Sequence, residues 1–172
     1  MDDFDNKLLR ALQDDGRLTN NELADRVGLS PSQCSRRRTA LEEAGLIQSY
    51  HAILSAERLG LGVTVFVQVT LATHSPDTSS RFQTLVQTLD EVQEAYSLTG
   101  ETDYLLKMVV QDLRALSAIV NEVFLPHDSV ARVRTSIVLD RLKQTTRLPL
   151  GQLRTEAQRP PRSPRQAGRS AP

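Results

Sequence analysis

A set of hydroxyl, amide and guanidinium side chains lies within residues 30–39 of the chain. The set comprises Ser30, Ser32, Gln33, Ser35, Arg36, Arg37 and Thr39. Hydroxyl and amide groups donate and accept hydrogen bonds, and guanidinium groups donate in a planar fork. Groups of this kind bind base edges and phosphates, so the set predicts contact with double-stranded DNA.

Two helix-capping patterns separated by a glycine position this set. Residues 19–22 (TNNE) and 30–33 (SPSQ) each place a hydroxyl side chain three positions before Glu or Gln, which is the spacing of a capping box. Gly28 can adopt a positive φ and end the first helix, and Gly45 can end the second. The spacing predicts a helix-turn-helix over residues 19–45, with the polar set on the first exposed turns of its second helix.

The segments on either side extend this unit into a three-helix bundle. Residues 3–15 place large apolar side chains on one face of a helix, which Asp3 or Asp5 is expected to cap. Residues 46–50 (LIQSY) predict a short strand that leaves the bundle and forms half of a minimal wing.

Cys34, Arg38 and Leu41 lie on one face of the last helix, although one of the three is charged and the other two are apolar. Cys34 and Leu41 are expected to be buried, with Cys34 a small hydrophobe rather than a reactive thiol. Arg38 lies between them, so its stem is expected to pack while its head reaches water. On these patterns alone two interpretations remain open: a DNA-reading unit, or an ordinary helical domain whose three consecutive arginines form a solvated face.

Composition limits the other classes of function. The 172 residues carry a formal net charge of zero, so any affinity for DNA must come from local patches. The single cysteine excludes an intrachain disulfide and a cysteine-based zinc site. The acidic start of the chain does not resemble a signal peptide, and the most apolar stretch, residues 59–72, is too short to span a bilayer. We expect a cytoplasmic, nucleoid-associated protein with no membrane partner.

Strand and helix patterns alternate from residue 63 onward. The predicted elements are a strand over 63–71, a helix around 82–89, strands over 92–98 and 104–110, a helix over 113–124 and a strand over 130–142. The order β-α-β-β-α-β predicts an α+β, ferredoxin-like sandwich with both helices on one side of an antiparallel sheet. The other sheet face is expected to be apolar and rich in valine, which favours pairing with a second copy of the chain.

These patterns divide the chain into four parts. Residues 1–50 are the helix-turn-helix domain, residues 51–62 a linker, and residues 63–149 the ferredoxin-like domain. Residues 150–172 are rich in proline and arginine and poor in large apolar residues, which predicts a disordered tail. A weak electrostatic contact between this tail and DNA phosphate is the alternative to an inert tail.

Several of these segments together resemble the Lrp/AsnC (feast/famine) family of transcriptional regulators. The matching segments are residues 5–9 (DNKLL), 15–17 (DGR), 27–32 (VGLSPS), 36–37 (RR), 41–47 (LEEAGLI), 50–52 (YHA), 99–107 (TGETDYLLK), 133–135 (VRT) and 142–143 (LK). They run in unbroken order over about residues 3 to 149. The resemblance implies a winged helix-turn-helix followed by a RAM-type domain that senses amino acids, with assembly into homodimers and octamers (tetramers of dimers).

The resemblance also implies roles and departures for particular residues. It implies a sequence-specific regulator whose assembly or DNA affinity responds to an amino acid bound near the loop at residues 99–104. The implied effector-binding residues are Thr99, Gly100, Glu101, Asp103, Tyr104 and Thr135. Spacing alone favours a plain hairpin in which Asp103 caps its own turn. Gln33, Ser35 and Arg38 depart from the residues frequent in the family, so the operator sequence cannot be carried over.

Two other functions are weighed against this one. An architectural protein would bind DNA through its arginines with little sequence preference. A small metabolite-binding module or enzyme is a remote alternative, because His51, His74 and His127 are far apart along the chain and form no ligand-spaced cluster. We therefore expect no enzymatic activity, no cofactor and no metal site.

Overall fold

The computed structural model describes residues 1–152, and the larger part of the predicted tail, residues 153–172, lies outside the described residues. The described chain divides into two compact units. Of the described residues, the first unit contains Met1–Ala52 and residues 144–152, and the second contains Ile53–Lys143. Residues 150–152, assigned to the tail from the sequence, form a short 3-10 turn, Leu150–Gln152.

The first unit is a bundle of three helices: α1 (Asp3–Asp14), α2 (Asn20–Val27) and α3 (Pro31–Glu43). Both predicted capping boxes are confirmed, and Gly28 ends α2 with a φ of 74°. The prediction that Asp3 or Asp5 caps α1 is wrong, because Asp2 caps the helix. Asp5 instead occupies the third helical position and accepts a hydrogen bond from the backbone N–H of Asp2 at 2.8 Å.

Nine buried side chains from the three helices and from Leu18 form the core of this unit. They are Leu8, Ala11, Leu12, Leu18, Leu23, Ala24, Val27, Cys34 and Leu41. Cys34 is fully buried, as expected, and burial raises the pKa of its thiol. The bundle therefore presents its polar helix surfaces outward.

The predicted wing strand over residues 46–50 is wrong. No strand forms in this segment of the described chain. Instead, the Tyr50 hydroxyl donates to Glu42 at 2.8 Å and accepts from Arg38 at 3.0 Å. Because side chains of α3 hold the segment, it does not need a partner strand to fix its path.

Residues 147–150 lie along α1 and belong to the first unit. The backbone N–H of Leu148 donates to the Gln13 side chain at 2.6 Å, and Arg147 forms an ion pair with Asp14 at 2.5 Å. The Asn6 amide donates to the carbonyl of Leu150 at 3.4 Å. The chain that follows the second unit thus returns to the first helix.

The second unit has the predicted β-α-β-β-α-β order, and the ferredoxin-like fold is confirmed. Its elements are β1 (Val63–Leu71), α4 (Pro76–Gln87), β2 (Val92–Ser97), β3 (Tyr104–Val110), α5 (Leu113–Ala118) and β4 (Val130–Ile137). The antiparallel strands lie in the order β2-β3-β1-β4. The largest boundary differences from the prediction are in α4, which begins at Pro76 rather than near residue 82, and in β4, which ends at Ile137 rather than residue 142. The helix predicted over residues 113–124 forms as α5 followed by a π-helical turn, Ile119–Phe124.

The helices cover one face of this sheet and leave the other open. The valines of β1 at positions 65, 67 and 69 are fully buried on the covered face, with Phe82 and Phe124. The valine-rich open face expected from the sequence is therefore wrong, because the strand alternation points these valines toward the helices. The open face contains Phe66, Leu105 and Tyr96 among polar side chains.

No helix within residues 1–152 is long and apolar enough to cross a membrane.

Candidate DNA-reading helix and sensor cleft

The first turns of α3 present most of the predicted polar set to solvent. Its exposed members are Ser30, Ser32, Gln33, Ser35, Arg36 and Thr39. Ser30 and Gln33 also close the capping box, in which the Ser30 hydroxyl accepts from the backbone N–H of Gln33 at 3.3 Å. The same cap that begins the helix thus places hydroxyl, amide and guanidinium groups on one accessible end, where they can reach a DNA groove.

The three consecutive arginines of α3 have different surroundings. Arg36 is exposed and has no ion-pair partner among residues 1–152. Arg37 instead forms ion pairs with Asp2 at 2.8 Å and with Asp5 at 2.6 Å, and its guanidinium lies over the ring of Phe4. The sequence assigned Arg37 to DNA, whereas the structure places it in contact with the start of α1.

The Arg38 side chain packs inward and is held at its charged end. Its guanidinium donates to the backbone carbonyl of Leu18 at 3.2 Å and to Glu42 at 3.2 Å, and it lies 4.6 Å from the centre of the Tyr50 ring. The expected packing of the stem is consistent with this arrangement, but the head finds protein partners rather than only water. Burial and the hydrogen bond to Glu42 raise the pKa of Tyr50, so its hydroxyl stays protonated as a donor.

Carboxylates in the helix caps have lowered pKa values. The backbone N–H of Thr19, and then its hydroxyl, hold the pKa of Glu22 below its ordinary value. The backbone N–H of Asp5, with the Arg37 guanidinium, lowers the pKa of Asp2. A carboxylate whose pKa is lowered by folding stabilises the folded state above its unfolded pKa, and that stabilisation is lost as the pH falls through the folded value.

The melting temperature of the full chain is therefore expected to decrease as the pH falls from about 5 to about 3. Glu22→Gln keeps an oxygen that can cap α2 but removes the titrating group, so its melting temperature should depend less on pH over that range. Circular dichroism melts at a series of pH values measure the effect. Glu43→Gln, which changes an exposed carboxylate outside the caps, is the control. Equal acid sensitivity of Glu22→Gln and the wild type would contradict the assignment.

A cleft of about 300 Å³ lies in the second unit, beside the loop between β2 and β3. It is lined by Leu71, His74, Ser75, Pro76, Ser79, Ser97, Leu98, Asp103 and Tyr104. One oxygen of Asp103 accepts from the backbone N–H of Leu71 at 2.7 Å, and the other lies 3.3 Å from the His74 ring. Asp103 therefore caps the end of β1 rather than its own turn and still presents one oxygen at the cleft.

The predicted effector-binding residues are not gathered in one place. Asp103 and Tyr104 line the cleft, whereas Glu101 lies at a smaller depression on the open sheet face, with Arg132 and Arg134. Thr135 pairs with Val67 in the sheet and lines neither depression.

The remaining two predicted residues, Thr99 and Gly100, are exposed in the loop itself. Gly100 has a φ of 119°, a conformation that favours glycine, so it serves the turn.

Sequence patterns did not identify His74 and the serines of the cleft. His74 lies three residues after β1, and the backbone N–H of Asp103 donates to Val69 at 3.1 Å, which brings the two loops together. The predicted β-α-β-β-α-β order could have identified His74, because that fold pairs β1 with β3 and places the end of β1 beside the start of β3.

A capped polar helix in a helical bundle, followed by an α+β domain with a cleft, is an arrangement found in transcriptional regulators that have a DNA-binding half and a ligand-binding half. Comparisons with known proteins agree with that class. The family model described as "Winged helix-turn-helix DNA-binding" matches residues 1–48, and the model described as "Lrp/AsnC ligand binding domain" matches residues 64–148.

Individual relatives match most of the chain. The leucine-responsive regulatory protein of Escherichia coli is 42% identical over 148 residues, which cover 86% of this chain and 90% of that protein. A transcriptional regulator from Neisseria meningitidis, solved as a complex with L-Met, has 43% identity and a TM-score of 0.85 over 87% of this chain and 97% of its own. Escherichia coli AsnC has 29% identity and a TM-score of 0.77, over 85% of this chain and 97% of its own. The chain belongs to the Lrp/AsnC family of transcriptional regulators.

Proposed function

We propose that α3 enters the major groove of an operator and reads it through Ser30, Ser32, Gln33, Ser35, Arg36 and Thr39. The observation that carries this assignment is the exposure of these side chains on the first turns of a capped helix. Gln33 and the serines reach base edges, and Arg36 contacts a guanine or a phosphate. The function proposed for this surface involves no catalysed reaction, no cofactor and no metal.

Arg36→Ala is expected to weaken operator binding by about 1–3 kcal/mol, because it removes an exposed guanidinium from the reading surface. Titrations at several salt concentrations measure the effect. A contact to a base lowers affinity for the operator only, whereas a contact to phosphate lowers affinity for all sequences and reduces the salt slope by about one. Arg114→Ala, an exposed arginine of α5, is the control. Unchanged operator affinity of Arg36→Ala would contradict the assignment.

The same titrations separate a specific regulator from an architectural protein. A specific regulator binds its operator about 10³-fold or more tightly than unrelated DNA at the same salt concentration. A ratio near one would favour the architectural alternative.

The effector that we propose is a free amino acid bound in the cleft beside Asp103. Its ammonium group needs an acceptor, and one oxygen of Asp103 faces the cleft toward His74. Its carboxylate needs donors, which the cleft serines supply, and its side chain can pack on Leu71 and Leu98. The Neisseria meningitidis relative, solved with L-Met, supports this class of ligand. A thermal-shift screen of the common L-amino acids tests it, because a ligand that binds the folded state raises its stability.

We also propose that the chain assembles as a homodimer through the open face of the sheet, and that dimers associate into octamers. Phe66 and Tyr96 support this, since they are 37% and 49% exposed on a face that none of the helices within residues 1–152 covers. A two-fold dimer would present two reading helices to two half-sites of one operator. Bound to DNA in this way, the protein would reside with the nucleoid in the cytoplasm.

A further inference from the structure

The proposed reading helix, α3, buries fewer side chains in the bundle than either of the other two helices does. Within α3, which is described in full, Cys34 and Leu41 are the buried side chains, whereas α1 and α2 each bury three. With two buried side chains, apolar packing contributes less to the attachment of α3 than to that of α1 or α2. Reading bases requires a fixed orientation, so polar contacts must add to the attachment of α3.

Consecutive residues of a helix point about 100° apart, so three adjacent arginines face three directions. Arg36 faces solvent, where it has no ion-pair partner among residues 1–152. Arg37 reaches the start of α1, and Arg38 reaches the turn before α2 and the segment after α3. The two partnered arginines thus connect α3 to structure on both of its flanks.

The contact between Arg37 and α1 is a closed network. Asp2 and Asp5 cap α1 reciprocally, each accepting the backbone N–H of the other. The remaining oxygen of Asp5 accepts a hydrogen bond from one guanidinium nitrogen of Arg37 at 2.6 Å, and the remaining oxygen of Asp2 forms an ion pair with the same nitrogen at 2.8 Å. Moving this guanidinium to a DNA phosphate would leave two carboxylates unpaired beside the negatively charged backbone.

We propose that Arg37 and Arg38 are positioning residues that fix the orientation of the reading helix, and that Arg36 is the member of the triplet that contacts DNA. This inference rests on the proposed function, in which α3 reads the operator. A positioning residue contributes to specific binding, where base contacts need an exact orientation, and little to non-specific binding. A phosphate contact contributes to both and adds about one to the salt slope.

The test compares Arg37→Gln, Asp5→Asn and Arg36→Gln in the full chain. The probes are a duplex selected from a random pool by the wild-type chain and poly(dI-dC) as non-specific DNA. We expect Arg37→Gln to weaken binding of the selected duplex about tenfold, and Asp5→Asn to weaken it by a smaller factor, because Asp2 still pairs with Arg37 in that variant. The double variant should lose no more than Arg37→Gln alone, because that substitution already removes the pairing between Arg37 and Asp5. Binding to poly(dI-dC) and the salt slope should stay as in the wild type. Arg37→Lys, which keeps a cation near Asp5, should recover part of the loss.

Two results overturn parts of this scheme in different ways. If Arg37→Gln weakens binding to poly(dI-dC) and lowers the salt slope, while Asp5→Asn binds like the wild type, Arg37 contacts phosphate and the inference fails. If Arg36→Gln changes neither duplex, α3 is not the reading helix and the proposed function fails. If Arg37→Gln does not fold, binding of the selected duplex is measured for Asp5→Asn and Arg37→Lys instead. Binding of that duplex by Asp5→Asn at the wild-type level overturns the positioning role.

Discussion

The Phe66→Asp variant is expected to sediment as a monomer at micromolar concentration, where the wild-type chain sediments as a dimer or a larger assembly. Phe66 is 37% exposed on the open sheet face and lies opposite Lys107 on β3. In a two-fold interface the substitution appears twice, so it would bury two carboxylates. Each poorly paired, desolvated charge costs several kcal/mol, which is enough to separate a protein dimer.

Loss of the dimer should also weaken operator binding by about 10²-fold or more, because the second reading helix no longer binds at a high effective concentration. Leu113→Asp is the matched control, since Leu113 is 57% exposed in the first turn of α5 and lies outside the open face. Sedimentation velocity and operator titration measure the two effects. A Phe66→Asp variant that remains dimeric and binds normally would exclude this face as the interface.

Local chemistry made the helices of the first unit predictable. A capping box involves residues three positions apart, so the sequence contains all the information needed to place α2 and α3. The partners of Arg37 could not be predicted in the same way. Asp5 is 32 residues away, and only the packing of α1 against α3 brings the two side chains together. Long-range ion pairs of this kind depend on the fold and leave no periodic signal in the sequence.

The strands of the second unit were also predictable from a local pattern. Which side of each strand faces the helices was not. Alternation predicts that residues 63–71 form a strand, yet period two does not say which set of alternate side chains meets the helices. The buried positions of the β1 valines settle that question and leave Phe66 on the other face. The strand predicted over residues 46–50 does not form. Its prediction depended on strand propensity alone, whereas the contacts of Tyr50 determine the path of the segment.

The residues of the loop at 99–104 were predicted to form one effector-binding cluster, but the structure places them at different faces of the sheet. Asp103 and Glu101 are two positions apart, but they lie at different depressions of the second unit. Sequence proximity alone therefore did not predict which residues of the loop line the cleft. The position of His74 and the serines beside Asp103 depends on the pairing of β1 with β3, which brings residues distant in the sequence together.

Asp103 is the residue of this cleft whose substitution should have the largest effect on sensing. Asp103→Asn removes the negative charge that we propose for the ammonium group of the effector. It keeps a carbonyl oxygen that can accept from the backbone N–H of Leu71, as one Asp103 oxygen does at 2.7 Å. Asp103→Ala removes both functions, and leaving that N–H without its partner costs about 1–3 kcal/mol.

The Asn variant should therefore melt close to the wild type but show no thermal shift with the amino acid that stabilises the wild-type chain. Its ligand-free operator affinity should stay within a few-fold, whereas its response to that amino acid should be lost. Asp103→Ala should lose the response and also melt at a lower temperature. Glu101→Gln is the control, because Glu101 lies at the other depression. Since the charge is the one feature that separates the Asn variant from the wild type, a normal thermal shift in Asp103→Asn would mean that this carboxylate holds the end of β1 and that the amino acid binds elsewhere.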